Sequence, residues 1–422
     1  MPTTDSHQLK ENTVQYLFFR ILYDIADYVT WGYYTILLLR ASDNAISVIF
    51  LNQTILYAGI FIGFVLGSML INRSGYLGTY RIANALLLLS CFLTLLTLPQ
   101  VLEVHLVLAL IRGIGRAFFY VGHNMFYTNE IHGLNRSRLV NLLISISYIF
   151  GIVFPFFIGG AITVYGYEWI FIVGAGLYGF GIVIPWTFNK VPKQQFDMAE
   201  LKPLMRRRGF KRWSTLTLSA EFINTLKVQS LSIIPFLLLK SEFEVGLLAS
   251  ALAIAAAFMT FAHRNDKFRR KVQLGYIGGF IVSISNLILA VFWNIPALIL
   301  RGLGANVGMA LYSPPVEEIS YRNKESVLGN FLEESTIEVD LYVEALLFIG
   351  RMAACITLVL ALVLLNIQGI VMLQALMLII AFSEILILWL NMVVNKVLRR
   401  GGSTETTYYP PLVPAPLAVH KI

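Results

Sequence analysis

Within one apolar run, residues 15–39, five side chains able to hold charge or stack recur at helical spacing. They are Arg20, Asp24, Asp27, Trp31 and Tyr34, at intervals of four, three, four and three. Such spacing puts them on one face of a helix. The carboxylates there can take up and release a proton, the guanidinium can answer an anion, and the rings can stack on a planar or cationic group. A second run holds Arg112 and Arg116 one turn apart. A third holds Lys227 with Glu221 and Asn224 near it, a fourth Arg301 and Asn306, and a fifth Glu344 and Arg351, seven apart on one face. An ionisable group inside such a run costs a few kcal/mol, so each requires a partner or a task. Asp27, near the middle of its run, is the expected proton carrier, with Asp24 one turn away. The competing reading is structural: Asp27 with Lys227, and Arg20 with Asp24 as an i,i+4 pair, would simply neutralise one another and hold helices together.

The elements that must position these groups are set by composition. The 422-residue chain is 57% hydrophobic and 13% charged, about half the charge of a soluble domain. Its apolar residues form runs long enough to cross ~30 Å of hydrocarbon as helix. Stretches such as ALLLLSCFLTLLTL lack the alternation of a membrane barrel. The expectation is an all-α polytopic membrane protein of twelve spans. The first, 15–39, carries Arg20, Asp24 and Asp27 and has no small-residue cleavage pattern after it, so it is not expected to be a cleaved signal peptide.

Basic residues cluster in alternate connections: Arg73 and Arg81, Arg136 and Arg138, the segment 189–212, and Arg264 to Lys271. The positive-inside rule then places both termini in the cytoplasm and accounts for the net charge of +8 without nucleic acid. Cys91 and Cys355 both fall in spans and imply no disulfide framework. There is no GxxxxGK[ST] loop, no metal-spaced His/Cys cluster and no recognisable nucleophile–base pair, so neither a cofactor nor an enzyme is expected. The expected organisation is a cytoplasmic N-terminus (1–14), six helices (15–188), a basic cytoplasmic linker (189–212), six helices (213–397) and a disordered proline-rich cytoplasmic tail (398–422).

Two words in the chain are nearly the same: LIRGIGRA, from Leu110, and ILRGLGAN, from Ile299. Arg112 and Arg301 each lie in the fourth helix of their half, as a duplicated six-helix unit would leave them. SMLINRSGYLG (Ser68 to Gly78) is similar to the loop motif between helices 2 and 3 of the major facilitator superfamily. Arg73 and Gly75 match; Ser68 stands at the usual glycine and Asn72 at the usual acid. RGIGRA resembles that family's helix 4 arginine motif through Arg112, with its glycine spacing shifted by one. NRSRLVN resembles the basic start of helix 5 through Arg136 and Arg138. GIVFPFFIGG (Gly151 to Gly160) resembles the helix 5 motif of proton-coupled antiporters, with Phe154 in place of the glycine before Pro155 and one extra residue before Gly159.

The resemblance covers residues 13–400 and implies two six-helix bundles related by a pseudo-twofold axis, with helices 1, 4, 7 and 10 around a central site. On that footing Arg112, Arg116, Lys227, Trp31, Tyr34, Asn224, Asn306 and Arg351 are the expected substrate contacts, and Asp27 and Asp24 the proton-coupling groups. Asn72, Arg73, Gly75, Arg136 and Arg138 would form a cytoplasmic gate, weakened by the missing acid at Asn72. The implied function is secondary active transport of a small organic solute by a monomer in a bacterial plasma membrane. Mid-span cations outnumber carboxylates, which suits an anionic or zwitterionic solute, proton-coupled, with a slight lean to export. The alternatives are a multidrug/proton antiporter for lipophilic compounds and an uncoupled facilitator or exchanger; a receptor or lipid-handling protein on the same scaffold stands further off. The acidic residues Glu333, Glu334, Glu338 and Asp340 are expected to form a solvated extension of helix 11, and Glu384 in helix 12 has no evident task.

Overall fold

The computed structural model describes residues 5–129, 133–188, 205, 209–263, 268–328, 336–365 and 369–401. Their helices are α1 (Asp5–Trp31), α2 (Tyr34–Ala41), α3 (Ile46–Leu96), α4 (Val101–Asn129), α5 (Gly133–Tyr165), α6 (Glu168–Val183), α7 (Phe210–Leu239), α8 (Glu242–His263), α9 (Phe268–Val291), α10 (Ile295–Leu328), α11 (Thr336–Leu365), α12 (Gly369–Ile380) and α13 (Ser383–Gly401). No strand occurs among the described residues.

Ten of the helical stretches among these residues are long and apolar enough to cross a membrane. One of them, α3, has 51 residues, roughly 75 Å of helix and more than twice a bilayer's hydrocarbon thickness. Its two arms run in opposite directions along α4. Gly59, Gly63 and Gly67 meet Gly113, Ala117 and Val121 in rising order, whereas Thr79 and Tyr80 meet Gly122 and Leu87 meets Gly115 in falling order. The reversal occurs at Gly75, with φ 64° and ψ −176°, a backbone region that essentially only glycine occupies. Counting α3 twice and adding the charged first span, α1 with α2, gives the twelve spans expected. Large side chains such as Leu96 and Ile379, each 74% exposed, would be aggregation sites in water and suit contact with lipid tails.

Several details differ from the sequence expectation. The first span is two helices, because Gly32 interrupts it in a turn at residues 32–33; glycine is a poor helix former. The motif Ser68 to Gly78 is not an open loop but helix on both sides of Gly75. The last span is broken between Ile380 and Ser383. The acidic lead-in to helix 11 is only partly described: Glu333 and Glu334 lie outside the described residues, Glu338 is buried within α11, and Asp340 is half-buried. Glu338 is therefore not solvated as expected, since packing of the first turns of α11 covers it.

The chain packs into two compact units. Unit 1 comprises Met1–Leu139, Ala161–Pro203 and Asn330–Met352; unit 2 comprises Val140–Gly160, Leu204–Gly329 and Ala353–Ile422. Each therefore draws on a segment beyond its own consecutive half, 330–352 and 140–160. Most of the linker, residues 189–204 and 206–208, lies outside the described residues, as do 1–4 and 402–422.

The repeated word has the same packing task twice. Gly113 abuts Leu56 and Gly59 of α3's first arm, and Gly115 abuts Leu87 of the second. In unit 2, Gly302 abuts Leu252 of α8, and Gly304 abuts Ser285 of α9. In each copy the first glycine admits the helix two before it and the second admits the helix immediately before it. Small residues let membrane helices approach closely, and each arginine is carried beside these contacts.

Gly75→Ala is expected to lower stability by about 1–3 kcal/mol through backbone strain. Gly176→Ala, in α6 where an added Cβ meets nothing within 4 Å, is expected to be neutral or stabilising. Thermal unfolding of the two variants in detergent checks the contrast; equal losses would contradict it.

Candidate functional site

The charged face of α1 is answered by α4 within unit 1. Arg116 Nη2 donates to Asp27 Oδ2 at 2.8 Å. One turn earlier along α1, Arg20 Nε donates to Asp24 Oδ2 at 2.9 Å. Arg20 Nη1 also lies 3.3 Å from His123 Nδ1, and the same nitrogen contacts the Tyr16 hydroxyl. An arginine can only donate, so His123 Nδ1 is the acceptor in this cluster. The i,i+4 pair is thus as the spacing indicated, while Asp27 takes its partner from α4.

Arg112 differs from its neighbours. It is 4% exposed and has no ion pair or hydrogen bond among the described residues. Its guanidinium carbon lies 4.8 Å from the centre of the Trp31 ring and 5.0 Å from that of Tyr34. Trp31 Nε1 donates to the Tyr178 hydroxyl of α6 at 3.2 Å, which fixes the indole. A buried charge held by two ring faces and no carboxylate is far from satisfied. It is not alone: Asp27 Oδ1, Arg116 Nε, and the Tyr23 and Tyr34 hydroxyls are also buried without hydrogen-bond partners among the described residues. Buried polar atoms are seldom left so. All of them lie on α1, α2 and α4 of unit 1.

In unit 2 the charges are arranged differently. Lys227 Nζ of α7 donates to Glu384 Oε1 of α13 at 2.8 Å. Glu384 was the carboxylate without a task, and its partner stands 157 residues away in sequence. Arg301 Nε donates to Asn286 Oδ1 of α9 at 3.2 Å. Asn306 donates to the Gly302 carbonyl of its own helix at 2.9 Å, so its amide is partly committed. Asn224 is half-buried on α7.

Arg351 is spent on Glu344 at 2.6 Å and lies 5.2 Å from the Tyr57 ring centre. With Phe348 stacked on Phe61, it fastens α11 to the first arm of α3 inside unit 1. Among the expected gate residues, Asn72 and Arg73 are exposed and Gly75 forms the reversal; the side chains of Arg136 and Arg138 lie outside those described. Sequence reasoning missed three participants: Glu384, Tyr178 and Asn286. The first had a signal, a lone carboxylate in an apolar run. The other two had none, since a tyrosine or an asparagine in a span is ordinary.

A family model described as Major Facilitator Superfamily matches residues 16–321. Among curated proteins, none matches the chain by sequence. Solved structures match it in fold. The POT family transporter PepTSo is 11% identical over 93% of this chain and 99% of its own, with a TM-score of 0.72. An auto-inhibited POT family peptide transporter is 11% identical over 93% and 98%, TM-score 0.66. The nucleoside transporter NupG is 12% identical over 90% and 99%, TM-score 0.64. At these identities the likeness is one of fold.

The Arg116–Asp27 pair should appear as strong coupling in a double-mutant cycle. Asp27→Asn or Arg116→Gln alone leaves a buried charge unanswered and is expected to cost about 2–3 kcal/mol, while the double variant recovers most of that loss. Chemical unfolding of the three variants measures it; additive losses would contradict the pairing.

Proposed function

This chain belongs to the major facilitator superfamily, and on that premise we propose that it carries a small anionic or zwitterionic organic solute across the cell membrane, coupled to protons, by alternating access. It is a transporter rather than an enzyme. The observation that supports the substrate class is Arg112: a buried guanidinium between two aromatic rings with no ion-paired carboxylate among the described residues. A solute carboxylate supplies the missing charge, and Trp31 and Tyr34 offer ring faces to whatever that carboxylate is attached to. The fold itself is shared by a peptide transporter and a nucleoside transporter, so the charge pattern, and not the fold, selects the class.

Asp27 is the proton carrier in this reading. Ionised, it occupies Arg116. Protonated, it releases that guanidinium one turn from Arg112, so that two cations face one solute. Proton and anion then favour one another's binding, and by linkage the preference is mutual. This favours co-transport with protons over the export to which the α5 motif leaned. A proton crossing 100 mV contributes about 2.3 kcal/mol to the cycle. Asp24, already tied to Arg20, supports the face without being its switch. Both termini are cytoplasmic in this reading, and the working unit is a monomer.

A ligand that binds only the folded protein raises its stability, by about 1.4 kcal/mol at tenfold excess over Kd. The purified protein is therefore expected to be stabilised by members of a carboxylate and amino-acid or dipeptide panel, more at mildly acidic than at mildly alkaline pH. Arg112→Gln is expected to lose that response, and Asp27→Asn to keep it without the pH dependence. Stabilisation confined to lipophilic cations would overturn the substrate class and favour the multidrug alternative. Differential scanning fluorimetry makes the comparison.

A further inference from the structure

Three helix ends of unit 1 meet at the turn that closes α6. Ile184–Trp186 form a single 3-10 turn. Thr187 completes it, giving its backbone N–H and its hydroxyl to the Ile184 carbonyl at 2.9 and 2.8 Å. Two further carbonyls of this segment take donors from other helices. Arg81 Nη2, in the second arm of α3, donates to Pro185 O at 3.4 Å. Gln15 Nε2, of α1, donates to Thr187 O at 2.9 Å.

Arg81 is left largely unanswered there. It is half-buried, makes no ion pair among the described residues, and has that one long hydrogen bond. Its Nε is enclosed without a partner among the described residues, as is Gln15 Oε1. The guanidinium carbon lies 3.6 Å from the centre of the Trp186 ring, so the two groups stack. The indole itself is 68% exposed. Stacking covers a face of the guanidinium and leaves its edge, where the N–H donors lie, turned outward. A planar edge of this kind matches the oxygens of a phosphate.

The surroundings are those of a membrane boundary. The apolar span of α6 ends at Trp186, and tryptophan is enriched at the headgroup level. From there an exposed stripe runs back along α6 through Val183, Phe180, Gly176 and Ile172, at intervals of three, four and four. Val183 and Ile172 stand eleven residues apart, about 16 Å along a helix, close to half of a ~30 Å hydrocarbon layer. One leaflet therefore covers the stripe while its headgroups lie level with Arg81.

We propose that this is a phospholipid site: Arg81 holds the phosphate of an anionic glycerophospholipid beside Trp186, and the α6 stripe carries one of its acyl chains. Basic positions between membrane helices hold such headgroups. A zwitterionic headgroup would bring its own cation against the guanidinium, and a free phosphate would leave the stripe uncovered. Because Arg81 and Gln15 tie α3 and α1 to the turn, an occupied site fastens three helix ends of unit 1 together. It does so whichever solute the chain carries.

Native mass spectrometry of the full chain, released from micelles holding equal dioleoyl phosphatidylglycerol and dioleoyl phosphatidylcholine, reads which lipid is retained first. Wild type is expected to favour the anionic lipid about fivefold, and Arg81→Gln to lose most of that preference. Arg40→Gln removes the same charge from an exposed position at the other end of the first span and is expected to keep it. Trp186→Leu leaves the charge but removes the ring at an exposed position, so it is expected to fold and to weaken the preference; it decides the matter should Arg81→Gln not fold. Equal retention of the two lipids by wild type, or equal losses in Arg40→Gln and Arg81→Gln, would overturn the site. So would glycerol 3-phosphate raising the melting temperature as much as the anionic lipid does, since the occupant would then be a soluble phosphate ester.

Discussion

A charge inside a hydrocarbon layer has to be answered by the protein, and the arrangement along α1 and α4 follows from how that is done. Asp27 and Arg116 answer one another at 2.8 Å. Arg20 and Asp24 do so one turn away. Arg112, on the same face of α4 as Arg116, makes no ion pair among the described residues and lies over the faces of Trp31 and Tyr34. A third carboxylate beside Asp24 and Asp27 would make the formal charges of this cluster cancel. In the proposed reading the unmatched guanidinium is where a solute carboxylate binds, and the matched pair beside it supplies a charge that a proton redistributes.

The helix packing sets where that face lies. Arg112 can lie beside α1 because Gly113 and Gly115 bring α4 against both arms of α3. The arms are antiparallel because Gly75 accepts a backbone conformation closed to other residues. The second copy of the word keeps the same packing logic, with Gly302 against α8 and Gly304 against α9, but not the same charges. Where the first copy has Arg116, the second has Ala305, and Arg301 turns to an asparagine. The two copies share the way the helices meet while the two units handle charge by different means: a cross-helix Arg–Asp pair in one, a Lys–Glu pair to the last span in the other.

Much of this was legible in the sequence because helical spacing and the cost of membrane charge are local and composition-level signals. The face of α1, the Arg20–Asp24 pair and the Glu344–Arg351 pair follow from intervals of four and seven along single helices. What the sequence could not supply was partnership across helices. Lys227 and Glu384 meet over 157 residues, and the break that brings Glu384 into place occurs in a run with no residue that breaks helices. The solitary state of Arg112 was equally hidden, since lacking a partner is a property of everything around a residue. Gly32 and Gly75 were visible as glycines, but only the second sat in a recognisable motif, so only its bend could be anticipated.

The central claim is that a proton and a solute carboxylate enter the unit 1 site together through Asp27. Its most direct measurement is proton flux in proteoliposomes, with membrane potential clamped and an internal pH dye, when an inward gradient of a stabilising solute is imposed. Wild type is predicted to acidify the lumen as the solute enters, and Asp27→Asn to exchange labelled solute without moving protons. Acidification by Asp27→Asn at the wild-type rate would contradict the account.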